Sequence, residues 1–249
     1  MTGLRRSRWR RAIAISFAVY LAVALSGCVY LRLLQLKNQF SRFDEHFQLT
    51  TDSGLQLRFL HPILLTSDLR WLGFEPANVS QLGTAEHWYL RWVKQPSAGA
   101  PGDGPFEIAF DLSFTGDRLS GLTLAEKYFA LIPKDIVVAA IKSLGGAAVD
   151  EKKRSVQTSV SAPAGSAVFP TRQMVDAMLG RPTEESLENG RIVTRYRCVS
   201  ADPTGKGKDL DLKLVFDPET GVLRQTVGRL PVGNIDLSFN PPVAASRAP

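Results

Sequence analysis

The chain has 249 residues, 44% of them aliphatic or aromatic, which is enough for one large or two small packed domains. A formal charge of +6 points first to a nucleic-acid partner. However, residues 1–27 hold five arginines and no acid, and the remainder carries 25 basic against 24 acidic residues. The basicity belongs to the leader, and with no aromatic–basic interleaving and no zinc-finger spacing, nucleic-acid binding is set aside.

The leader has three parts: a positive stretch, "MTGLRRSRWRR"; an apolar run, "AIAISFAVYLAVAL"; and the small residues of "SGC". Arginines before an apolar run keep the N-terminus in the cytoplasm and deliver the rest outside. Leu25-Ser26-Gly27-Cys28 resembles the lipobox of bacterial lipoproteins. That resemblance implies a signal peptide over 1–27 and lipid on Cys28, whose several acyl chains anchor stably where one chain is marginal. The alternative anchor is an uncleaved helix, because residues 12–31 are twenty residues without a charge. Both anchors place the body in the cell envelope, and the lipoprotein reading implies the outer membrane, facing the periplasm.

"VYLRLLQLKNQFSRFDEHF" follows directly. Val29, Leu33, Leu36, Phe40, Phe43 and Phe47 recur at helical spacing, so an amphipathic helix is expected over 29–47. Its apolar stripe has three uses open to it: its own domain, the membrane, or a partner.

A hairpin is expected about Asp52-Ser53-Gly54, then a short helix in "LTSDLRWLG" ended by Gly73. "AEHWYLRWV", "FEIAFDLSF" and "RLSGLTLAEKYFAL" read as strands, with a Gly-rich loop at 94–106. Pro133 opens a helix with Ile136, Val137, Ala140, Ile141 and Leu144 on one face, stopped by Gly145-Gly146. "AAVDEKKRSVQTSV" is ambiguous, and "SAPAGSA" is a linker-like break. The same order of signals then returns. A helix capped by Thr171 and stopped by Gly180 precedes the strands "RIVTRYRCVS", "DLDLKLVF" and "VLRQTVGRL", with a loop at 201–208. "NIDLSF" suggests a last short strand.

The pattern implies an α+β fold: short helices packed on antiparallel three- to four-stranded sheets, in two diverged tandem units. The expected divisions are a signal peptide at 1–27, anchor and amphipathic helix at 28–47, a first unit at 48–161, a second at 167–240, and a tail at 241–249. In the second unit, Val175, Leu179, Gly180, Pro182, Tyr196, Phe216, Asp217, Gly221 and Val222 fall on a pattern that resembles the BamE/SmpA-like (BLIP-type) domain. That family comprises small outer-membrane lipoproteins, accessory to the machinery that assembles β-barrels. The chain departs from it at Phe169-Pro170-Thr171, where the family has a Gly-Met-Thr helix entry. The matched residues are turn, cap and core positions, so they speak for fold, and for function by analogy.

Chemistry-bearing clusters are sparse. His46, His61 and His87 lack ligand spacing, so no metal is expected. "TGKGKD" lacks the P-loop spacing, and there is no G-x-S-x-G elbow. Cys198 reads as a small buried hydrophobe. Neither an enzyme activity nor a cofactor is expected. Trp71, Trp88, Tyr89 and Trp92 are the candidate partner-binding residues, since aromatic residues anchor interfaces. The sequence therefore suggests a non-catalytic envelope lipoprotein that binds other proteins and supports outer-membrane integrity or assembly. The alternative is a periplasmic binding or inhibitor module acting on a soluble protein or ligand.

Overall fold

The structure, a computed structural model, describes residues 29–95, 106–130, 133–150, 155–161, 169–230 and 233–240. The signal peptide at 1–27, Cys28, the middle of the loop at 94–106, the break at 162–166 and the tail at 241–249 lie outside the described residues.

The amphipathic segment forms two helices, α1 (Val29–Ser41) and α2 (Phe43–His46). Arg42 leaves helical geometry, at φ −121° and ψ 56°, and Phe47 already belongs to a strand. The break turns Phe43 and Phe47 under Phe40, whose ring stacks on Phe47 at 4.5 Å. A continuous helix to residue 47 would remove the Phe47↔Phe59 rung that closes the pairing of the strand at 47–50 with the strand at 55–59. The apolar stripe is settled by packing: Val29, Leu33, Leu36 and Phe40 lie against the first core of the body.

Next come β1 (Phe47–Thr50), β2 (Leu55–Phe59), α3 (Thr66–Leu72), β3 (Asn78–Leu82), β4 (Ala85–Lys94), β5 (Glu107–Thr115) and β6 (Arg118–Leu124). The connecting elements are α4 (Lys134–Ser143), β7 (Ala148–Asp150) and β8 (Ser155–Ser161). The chain ends in α5 (Arg172–Leu179), β9 (Glu184–Glu188), β10 (Arg191–Ser200), β11 (Leu210–Phe216), β12 (Leu223–Leu230) and β13 (Gly233–Asn240).

The expectation of separate three- to four-stranded sheets is overturned. All thirteen strands of the described residues belong to one mixed sheet, in the order β1-β2-β6-β5-β4-β10-β11-β12-β13-β8-β7, with β3 on β4 and β9 on β10. The reason lies in strand length. β4 and β10 each have ten residues. β3 pairs with the start of β4, from Ala85 to Tyr89, and β9 with the start of β10, from Arg191 to Arg195. The far ends of the long strands would otherwise be open edges, which pair readily. They pair with each other, Cys198 opposite Lys94, Val199 opposite Val93 and Ser200 opposite Trp92.

Within that sheet, β3 to β6 and β9 to β12 pair in the same order and register. Trp88 faces Leu112 and Leu90 faces Phe110; at the corresponding rungs Thr194 faces Leu214 and Tyr196 faces Leu212. The expected division near residue 161 does not separate two sheets, because β8 pairs in parallel with β13, from Asn234↔Ser155 to Asn240↔Ser161. α4 also serves both halves, with Ile136 buried in the second core and Ile141 against the first.

The helices cover one face of the sheet. Trp88, Leu90, Trp92, Leu112 and Phe114 build the first core there, completed by Cys198 and Leu210 from the second half. Tyr196, Leu214, Phe216, Val175 and Leu179 build the second. Alternate residues carry the other face, as the period of two requires, and it is largely polar apart from the buried pair Val193 and Val215. Gly145 is fixed by a close approach. A Cβ there would lie 2.4 Å from the Phe40 carbonyl oxygen, where the end of α1 meets the turn at Leu144–Gly146.

Two loops of the second half are organised by carboxylates. Burial opposes ionisation of Asp202, yet the backbone N–H groups of Thr204, Gly207 and Lys206 and the Thr204 hydroxyl hold its carboxyl down to about 2. The Thr220 backbone N–H, with Arg224, does the same for Asp217. Both folded values lie below the ordinary 3.8. Their stabilisation is therefore complete above that value and lost as pH falls from about 4 to 2. Acid titration followed by amide exchange should show the 201–208 and 217–221 segments losing protection in that window.

Candidate functional site

The four aromatic candidates do not converge. Trp88 and Trp92 are each 1% exposed and belong to the core. The Arg70 guanidinium lies 4.7 Å from the Trp88 ring centroid, and the Trp88 indole N–H donates to Glu86. The Trp92 ring meets Phe74 and Phe110 edge-on, and its N–H donates to the Lys208 carbonyl at 2.9 Å. Tyr89 is half-buried on the polar sheet face, opposite Asp111 and Asn78. Only Trp71 is an exposed member of the four, at 51%.

Trp71 belongs instead with residues of α1. Its ring meets Tyr30 edge-on at 5.4 Å. Tyr30 and Leu34 are one helical turn apart, 54% and 53% exposed, with Leu31 beside them. This outward patch is held in place by an ion pair beneath it. Arg32 donates from Nε and Nη2 to the two carboxylate oxygens of Asp68, at 2.6 and 2.5 Å. Asp68 is 1% exposed and also accepts the Leu65 backbone N–H at the start of α3. A bidentate pair fixes orientation as well as charge. It locks α1 to α3, so Tyr30 and Trp71 are set by the fold.

The joint between the sheet halves is the second built feature. Lys94, 3% exposed on β4, donates to the carbonyls of Leu179 and Arg181, at 2.7 and 3.0 Å, at the end of α5. Lys208 crosses the other way to the Leu72 carbonyl at the end of α3. Cations at helix C-termini satisfy orphan carbonyls and complement the dipole. Each half thus caps a helix of the other. Lys94→Met is expected to cost about 1–3 kcal/mol in urea unfolding, since it removes charged hydrogen bonds from a buried site. Lys208→Met, at an exposed side chain, is expected to cost less.

The polar sheet face carries ion pairs. Glu188 receives Lys213 at 2.6 Å and Arg195 at 2.9 Å, and these, Lys213 first, hold its carboxyl down to about 2. Glu107 sits between Arg91 and Lys127. β3 and β9 leave Leu82 and Leu187 exposed at 75% and 71%.

The structure also brings together two histidines that sequence spacing separates. The Nδ1 atoms of His46 and His61 are 3.1 Å apart. The register Phe47↔Phe59 places one just before and the other just after the same hairpin. The hairpin expected at Asp52–Gly54 contained that signal. No third ligand accompanies them; among the described residues no group of three His, Cys, Asp or Glu side chains forms a metal cradle. The buried Cys198 thiol is pushed up to about 11 by burial, so it is not poised as a nucleophile. His87 meets Ser113 at 3.2 Å on the polar face, beside Asp111, whose carboxyl is raised by burial.

The fold and its surfaces define a helix-backed mixed-sheet protein whose built features are a docked N-terminal helix and a lysine-capped joint. No protein-family model, curated protein or solved structure matches the chain.

Proposed function

We propose that the chain is a non-catalytic cell-envelope lipoprotein that binds other proteins and supports outer-membrane integrity or assembly. The observation that carries this reading is positional. Cys28 of the Leu25–Cys28 motif directly precedes Val29, the first described residue of α1, and α1 is docked on the body. A lipid on Cys28 would hold the body against the membrane with no spacer between them. Partner binding draws support from β3 and β9, edge strands with exposed Leu82 and Leu187, because such edges accept another chain.

The test is cross-linking in intact cells followed by purification from detergent extracts. Recovery with β-barrel assembly or other envelope proteins is the expected result. A monomer with no membrane partner would overturn the proposal. Capture of a soluble periplasmic protein would favour the second reading, an inhibitor or binding module. The broad ion-paired sheet face around Glu188 and Glu107 suits that role.

A further inference from the structure

We propose that the outward face of the first two turns of α1, together with Trp71, lies in the interfacial layer of the lipid bilayer. The inference rests on the membrane tether proposed above and adds an orientation to it.

α1 has two apolar faces at its start. The inner face, Val29, Leu33 and Leu36, is covered by the body. The outer face, Tyr30, Leu31 and Leu34, is not, and Trp71 extends it from α3. Further along the helix, Lys37, Asn38 and Ser41 carry no such apolar surface. The apolar outer face is thus confined to the end nearest residue 28, where the uncharged run that begins at Ala12 terminates. With a rise of 1.5 Å per residue, Leu34 lies about 8 Å along the axis from Val29. An interfacial helix buries its apolar face about 5–10 Å into the headgroup boundary. Either anchor, lipid on Cys28 or helix 12–31, brings this end of α1 to the membrane surface.

The residue types fit the same layer. Tyrosine and tryptophan seat at membrane interfaces, with an apolar ring and a polar tip. Four half-exposed side chains fall short of the ~800 Å² per partner that a stable protein interface needs. A bilayer needs no matching partner surface. The Arg32–Asp68 pair fixes the patch rigidly, so seating it would orient the whole sheet relative to the membrane.

The test uses the full-length protein reconstituted into phosphatidylethanolamine–phosphatidylglycerol vesicles. Flotation reads the tether. Quenching by nitroxide lipids reads the patch, with the Trp71 signal isolated as the difference between wild type and Trp71→Phe. The expected result is flotation, with Trp71 quenched more by a shallow nitroxide than by a deep one. The double substitution Tyr30→Ser and Leu34→Ser should still float yet lose most of that quenching. Near-ultraviolet dichroism of the buried Trp88 and Trp92 checks that it is folded. Flotation with Trp71 unquenched would overturn the proposal and leave the tether standing. A dimer cross-linked through Tyr30 in that case would assign the patch to a second copy. Failure to float would overturn tether and patch together.

Discussion

Trp92→Ala is expected to destabilise the fold by about 3–5 kcal/mol, the range for deleting a large aromatic from a packed core. The ring is 1% exposed, and its N–H satisfies the Lys208 carbonyl across the joint between the sheet halves. The substitution opens a cavity and removes a hydrogen bond at the same point. Trp71→Ala should cost no more than about 0.5–1 kcal/mol, because half of the ring is already in solvent. Urea unfolding of the two variants separates core from surface among residues that look alike in sequence. Equal effects would contradict the structure.

The second large effect is expected at Asp68. Asp68→Ala leaves the Arg32 guanidinium, 15% exposed, without its buried counter-ion. Breaking one side of such a pair costs about 3–5 kcal/mol. Arg32→Met combined with Asp68→Asn should recover most of that loss. The charge is then gone, and the Asn carbonyl still accepts the Leu65 N–H. Hydrogen exchange should show where the energy goes. In Asp68→Ala, protection in α1 should fall before that of β4 and β5. Unchanged protection in α1 would mean that the pair does not dock the helix.

These two sites show what was legible in the sequence. The stripe of Val29, Leu33, Leu36 and Phe40 was visible, and so were the alternating teeth of β5 and β11, because periodicity is a local property. The Arg32–Asp68 pair was not, since it spans 36 residues and no local rule selects the partner. β3 and β9 were missed for a different reason. "NVSQL" and "EESLE" are exposed on nearly every residue, so they show no alternation. One signal for β9 was present. Asn189-Gly190, both at positive φ (50° and 74°), is the two-residue turn that closes an antiparallel hairpin. The segment "AEKYFAL" read as the end of a strand, but β6 stops at Leu124. Tyr128 instead bends back, accepting the Ala109 N–H and donating to the Glu107 carbonyl at the end of β5 that β6 does not reach.

The single sheet was the largest departure. Its joint includes three backbone rungs, two lysine caps and the Trp92 indole bond to the Lys208 carbonyl. Backbone pairing carries no side-chain signature, and a lysine in the strand "AEHWYLRWVK" reads as a solvated strand end. Lys94 is buried because a helix C-terminus from the other half meets it there. The candidate site divided along the same line. Composition identified the aromatic cluster, but tertiary packing decided that Trp88 and Trp92 support the core while Trp71 joins Tyr30 at the surface.

The proposed tether lies at Cys28, the residue preceding Val29. Intact-mass analysis of the protein extracted from membranes tests it most directly. The account predicts a mature chain that begins at Cys28 and carries acyl groups. A chain that retains residues 1–27, or an unmodified Cys28, would contradict it.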